Sequence, residues 1–132
     1  MSATPFPERL ELHCGPVTAV DLALFAAASG DHNPLHLDAE VARAAGFDRP
    51  VVHGMLTMAY TARLFTKTFG AGSVRHLHTR FTGAARLGDT VVLSATLTST
   101  EGEQGLYDVD ARTVAGGELM SGKARVANGS HP

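Results

Sequence analysis

From Val74 onward the apolar residues stop recurring every three or four positions and begin to recur every two, and this change divides the chain into a helical half and a sheet half. Before it, residues 17–28 are rich in Ala and Leu. Thr18 reads as an N-cap, Asp21 as the acidic arm of a capping box, and Ser29-Gly30 as the stop. Asn33-Pro34 reads as incompatible with helix. Asp38 reads as the N-cap of a short helix to about Ala45, closed by Gly46, and Arg49-Pro50 forces an extended approach to Val51 and Val52. The longest helical pattern runs from Met55 to Phe69 and stops at Gly70, with Met55, Met58, Ala59, Ala62 and Phe65 on its inward face. After the change, Leu77, Thr79 and Phe81 alternate with His76, His78 and Arg80. Residues 91–97 form the strongest strand, bounded by Gly88-Asp89 and Glu101-Gly102. Leu106 to Val114 and Leu119 to Val126 follow, separated by Gly116-Gly117, and residues 10–13 read as one more strand. The implied class is α+β: an antiparallel meander curled around one long helix. Its open edge strands call for cover by a second copy, so a homodimer is expected.

The remaining bulk properties mainly exclude. At 132 residues the chain is one domain, 1–132, with 128–132 reading as a disordered tail. Net charge is -2 and the basic residues are scattered, which argues against nucleic acid as a partner. Cys14 is the only cysteine, so an internal disulfide and a Cys-based zinc site are both excluded. The opening Met1-Ser2-Ala3-Thr4-Pro5 does not read as a signal peptide, and no stretch approaches the ~18 apolar residues of a membrane span. A cytoplasmic protein without membrane partners is the expectation.

The chemistry concentrates in Asp31-His32-Asn33-Pro34-Leu35-His36-Leu37-Asp38 and, after a spacer, Val51-Val52-His53-Gly54-Met55. A proline-braced loop can hold Asp31 and His36 on one concave surface as a pair of proton-handling groups. Gly54 falls where the long helix begins, so its N–H favours a developing negative charge and its missing side chain admits an acyl group. Asn33, His53 and Met55 are further candidates for contact with the acid or a substrate. Each also has a plainer reading: Asn33 as a loop-fixing residue, His53 as a structural donor locking the helix entry, and Met55, with Phe25, Met58, Phe65 and Phe69, as core or tunnel lining. Asp31 and Asn33-Pro34 alone would make an ordinary helix–turn unit. A metal on His32, His36 and His53 is disfavoured because Pro34 breaks the helix that would align the first two. His76, His78 and Arg80 are either a solvated face or a contact for a carrier phosphate, and Cys14 is a small apolar filler.

These linked motifs resemble the signature of the MaoC-like (R)-specific enoyl-CoA hydratases and 3-hydroxyacyl-thioester dehydratases. The resemblance runs on through Gly46-Phe47-Asp48-Arg49-Pro50 and returns at Arg80-Phe81 and Leu87-Gly88-Asp89, covering about residues 15–127. It implies a hot-dog fold, a dimer, and syn addition of water to a trans-2-enoyl thioester. In that scheme Asp31 takes a proton from the water, His36 orients it and shares proton delivery, and the Gly54 N–H polarises the carbonyl. The partner is an acyl-CoA or acyl-carrier-protein thioester, with coenzyme A or phosphopantetheine as a handle on the substrate and no bound cofactor. Two positions depart from the pattern: Ala62 stands where the family often has a serine that binds the acid, with Thr57 or Thr61 as substitutes, and Thr82-Gly83-Ala84-Ala85-Arg86 lacks the family's proline. A hot-dog thioesterase is disfavoured because Met55 to Phe69 carries no carboxylate. A catalytic subunit of a heterodimeric dehydratase stays open. A structural partner or a binding module leaves the Asp31–His36 pair without purpose.

Overall fold

A computed structural model describes residues 6–128, so the tail expected from 128 falls outside it apart from Asn128. The elements in order are β1 (Arg9–Cys14), α1 (Ala19–Ser29), a 3-10 turn (Pro34–His36), α2 (Ala39–Ala44), α3 (Gly54–Phe69), β2 (Val74–Phe81), β3 (Val91–Glu101), β4 (Gln104–Thr113) and β5 (Glu118–Ala127). The strands make one antiparallel sheet in the order β1-β3-β4-β5-β2. α3 touches all five strands, so the sheet wraps the helix in the hot-dog arrangement. Among the described residues no helix is long and apolar enough to cross a membrane.

Local chemistry explains the boundaries. The Thr18 hydroxyl accepts from the Asp21 N–H while the Asp21 carboxylate accepts from the Thr18 N–H, and Gly30 ends α1 in the left-handed region at φ 80°. Asp38 caps α2 by accepting from the Glu40 and Val41 N–H groups. Against expectation, Pro34 does sit in a helical turn. It takes the first position of the 3-10 turn, where its missing N–H would have no partner in any case.

The inward face of α3 also needs correction. Leu56, Thr57, Tyr60, Thr61, Leu64, Phe65 and Phe69 are buried, whereas Met55 is 57% exposed and Ala59 lies open. The helix is rotated because two threonines belong to the buried stripe. Thr61 enters the core with its hydroxyl satisfied, donating to the Thr57 carbonyl at 3.1 Å. The core beneath combines Phe65, Phe69, Leu93, Ala95, Tyr107, Val109 and Val126 with Cys14, a buried thiol whose pKa burial raises.

Tyr107 ties this core to the chain before β1, its hydroxyl donating to the Pro7 carbonyl at 2.7 Å. Burial pushes the phenol up to about 12. Its contribution to stability is therefore whole below pH ~10 and is lost as pH rises through about 12. Tyr107→Phe is expected to cost about 1 kcal/mol, because it removes the bond to a part-buried carbonyl. A thermal melt should fall by ~4 °C, and an unchanged melt would mean the bond contributes nothing.

Candidate active site

Three successive side-chain caps build the loop after α1. The Asp31 N–H donates to Ser29 Oγ at 3.1 Å, the Asn33 N–H to Asp31 Oδ1 at 3.2 Å, and the Leu35 N–H to Asn33 Oδ1 at 3.0 Å. Such local bonds favour a turn over continued helix. Asn33 thus fixes the loop with its side chain and touches the acid with its backbone.

The last residue of the 3-10 turn is His36. Its Nδ1 lies 2.7 Å from the Val51 carbonyl. A carbonyl can only accept, so Nδ1 carries the hydrogen, and Nε2 is left as the working nitrogen. Nε2 stands 3.6 Å from Asp31 Oδ2, with the His36 side chain 12% exposed and that of Asp31 51% exposed. That gap is too long for a direct hydrogen bond and suits a water bridging the two.

The Val51 carbonyl is itself held from both sides. The Val51 N–H donates to Leu35, the Val52 N–H to Ala85, and the Leu87 N–H to Pro50. Around this strip the Arg49 guanidinium donates to the Leu87 carbonyl at 2.8 Å and lies 3.6 Å from Asp89. Arg86 Nε lies 3.1 Å from Asp48 Oδ1. Sequence reasoning missed this clamp because its members come from segments nearly forty positions apart, and no local period marks such a pairing.

His53 is 1% exposed. Its Nε2–H donates to the Asp31 carbonyl at 3.2 Å, its ring stacks on His36 at 3.7 Å and 19°, and the edge of Phe25 closes its other side at 4.9 Å. Burial holds its pKa below the usual histidine value and His36 adds to that effect, while the bond to Asp31 opposes it. It lies behind the pair, with its ring covered by His36 and Phe25. Gly54, the first residue of α3, has no side-chain cap at its helix end. A Cβ there would meet the Phe81 ring at 3.3 to 3.5 Å, so Phe81, 45% exposed at the end of β2, forms a wall beside it. The period-two pattern set Phe81 on the face of the strand opposite His76, His78 and Arg80, but only the folded sheet shows what it meets. Met55 is exposed next to Gly54 at the mouth of the site.

Donor atoms of Asp31, His36 and His53 come within 4.8 Å of one another, and His32 takes no part. An ion must lie near the plane of each ligating imidazole. Two rings stacked at 3.7 Å and 19° have planes that run alongside each other, so no point between them lies in both. The arrangement therefore suits proton transfer better than metal ligation. Ala62 offers no hydroxyl, Thr61 spends its own on α3, and the Asp31 carboxylate is met by the Asn33 N–H and faces His36. On the outer sheet face, His76 and His78 line a groove of about 490 Å³ with Lys123 and Arg125. Lys123 pairs with Asp108 and Arg125 with Glu101, so these cations are already neutralised.

Comparison with known proteins follows the same line. Residues 8–117 match the MaoC-like domain family. The chain is 32% identical over 113 residues to the (R)-specific enoyl-CoA hydratase of Rhodospirillum rubrum, covering 83% of this chain and 78% of that protein. It is 35% identical over 94 residues to the peroxisomal enoyl-CoA hydratase 2 of Arabidopsis thaliana, covering 68% of this chain but 30% of that longer protein. The hydratase-dehydrogenase-epimerase of Saccharomyces cerevisiae is longer still, and the matched part is 8% of it. Among solved structures, the (R)-hydratase of Aeromonas caviae superposes with a TM-score of 0.87 at 27% identity, over 98% of this chain and all of that one.

Proposed function

The chain belongs to the MaoC-like family, and on that premise we propose that it is a hydro-lyase adding water to trans-2-enoyl thioesters, or removing it from (R)-3-hydroxyacyl thioesters. The observation that carries this reading is the Asp31–His36 pair, 3.6 Å apart with His36 Nδ1 tied to the Val51 carbonyl.

Asp31 Oδ2 takes a proton from a water lying between it and His36 Nε2 as the water oxygen bonds to the β-carbon. The C=C electrons move onto the carbonyl oxygen, which the Gly54 N–H stabilises. His36 enters this step as the imidazolium, its Nδ1–H on the Val51 carbonyl and a second proton on Nε2, and the carbonyl re-forms as the α-carbon takes that second proton. A water that replaces the one consumed relays the proton from Asp31 back to Nε2, restoring both groups, and the reverse sequence is the dehydration. The thioester belongs to coenzyme A or to the phosphopantetheine arm of a carrier protein. A thioesterase reading lacks its acid, since α3 carries neither Asp nor Glu. We further propose a homodimer, because β1 and β2 are open edges and Met55 and Phe81 are exposed apolar residues beside one of them.

The test is loss of enoyl absorbance on crotonyl-CoA with chiral analysis of the product. Formation of (R)-3-hydroxybutyryl-CoA is expected, and a folded protein that leaves crotonyl-CoA and longer enoyl thioesters intact would overturn the reading. Gly54→Ala gives a second check. The nearest atoms the new methyl group meets belong to the Phe81 ring, which is half exposed and free to yield, so the melt should hold within ~3 °C. The methyl also obstructs the approach of the thioester to the N–H, so kcat/KM is expected to fall about tenfold or more. Full activity in Gly54→Ala would place the carbonyl elsewhere.

A further inference from the structure

Deepening the hydratase reading, on which it rests, we propose that His53 is a positioning residue for both proton-handling groups. Its ring is the surface on which the His36 imidazolium lies, and its Nε2–H fixes the Asp31 backbone, so that the two stacked rings carry one proton and carry it on His36.

The geometry supports each part. The rings lie 3.7 Å apart and nearly parallel, close enough that two imidazolium charges would repel strongly while one charge is stabilised by a neutral π face. His36 is the partner able to hold the charge, because its two nitrogens face the Val51 carbonyl and the Asp31 carboxylate. His53 is the partner that cannot. It is buried, its Nε2–H is already donated to a carbonyl, and its Nδ1 makes no hydrogen bond among the described residues. A proton added at Nδ1 would be a desolvated charge without an acceptor. The titratable groups acting on His53 are His36 and Asp31, and α1 presents to it the edge of Phe25.

One consequence concerns the mechanism. The return of the proton from Asp31 to Nε2 is a transfer to a defined atom, because the second ring does not compete for it. Another concerns pH. A buried histidine held neutral when folded takes up a proton in the unfolded chain below its ordinary pKa of about 6.5. The fold should therefore lose stability as pH falls below that value.

The test is an NMR titration of the imidazole nitrogens without substrate, in wild type, His53→Gln and His53→Phe. In wild type the first added proton should go to His36, with His53 remaining the Nε2–H tautomer. In His53→Gln, which removes the ring, the His36 midpoint should fall by about 0.5 pH unit. In His53→Phe, which keeps a π face, it should stay near the wild-type value while the anchor on Asp31 is lost. Protonation of His53 in wild type alongside His36 would overturn the proposal, and so would a His36 midpoint that rises in His53→Gln. The wild-type titration decides the matter even if both variants unfold. It also separates two failures: a one-proton titration in a protein inert on crotonyl-CoA would uphold the proton placement and sink only the hydratase reading.

Discussion

Asp31→Asn is expected to lower kcat for crotonyl-CoA hydration by a factor of about 10² to 10⁴, the range for removing a positioned acid–base group. KM should move little, since the carboxylate acts on water rather than on the acyl chain. The substitution is a clean test because the amide oxygen of Asn can still accept from the Asn33 N–H and so keep the loop. The side chain is also half exposed, and its burial contributes little to folding. His36→Gln should lose a comparable factor. The double variant should lose scarcely more than either single one, because each group is useless without the other. Steady-state kinetics with melts of each protein check this, and retention of more than a tenth of the activity by Asp31→Asn would remove the acid from the mechanism.

Gly122→Ala is expected to cause the largest loss of stability of any single methyl added in the sheet. Gly122 pairs with Thr79 between β5 and β2. A Cβ there would strike the His78 carbonyl and come within 2.8 Å of Thr79 Cα, both of them backbone. No rotamer relieves the clash, so the two strands must part. A cost of about 3 kcal/mol is expected, read as a drop of ~12 °C in the melt. At Gly105, by contrast, a Cβ meets the Phe6 ring, which can move. If Gly122→Ala melts with wild type, the close approach of β2 and β5 at that point is wrong.

The features legible in the sequence were those built from neighbours. The Thr18–Asp21 box, the Asp38 cap, the stop at Gly30 and the β3–β4–β5 meander each depend on residues a few positions apart, and the structure shows them where local rules put them. The inward face of α3 was not legible, because counting apolar residues treats Thr57 and Thr61 as solvent-facing when both are buried. Pro34 misled in a similar way: the rule against proline in helices does not apply at a helical first position. In the site, the approach of Asp31 to His36 followed from motif spacing. The carbonyl that orients His36, the stacking of His53 and the ring beside Gly54 depend on contacts between distant segments, which spacing does not encode.

Asp31, Asn33, His36, Val51, His53 and Gly54 all lie within residues 31–54, and most of the bonds holding the two histidines run between members of that stretch. From outside it come the clasp of Ala85 and Leu87 and the ring of Phe81. The proposed proton-handling groups and the sheet are thus carried by separate stretches of the chain. On the proposed reading, substitutions confined to residues 31–54 would abolish the reaction while every strand persists. Substitutions along the sheet would likewise reshape the surroundings of the site while leaving the Asp31–His36 pair in place.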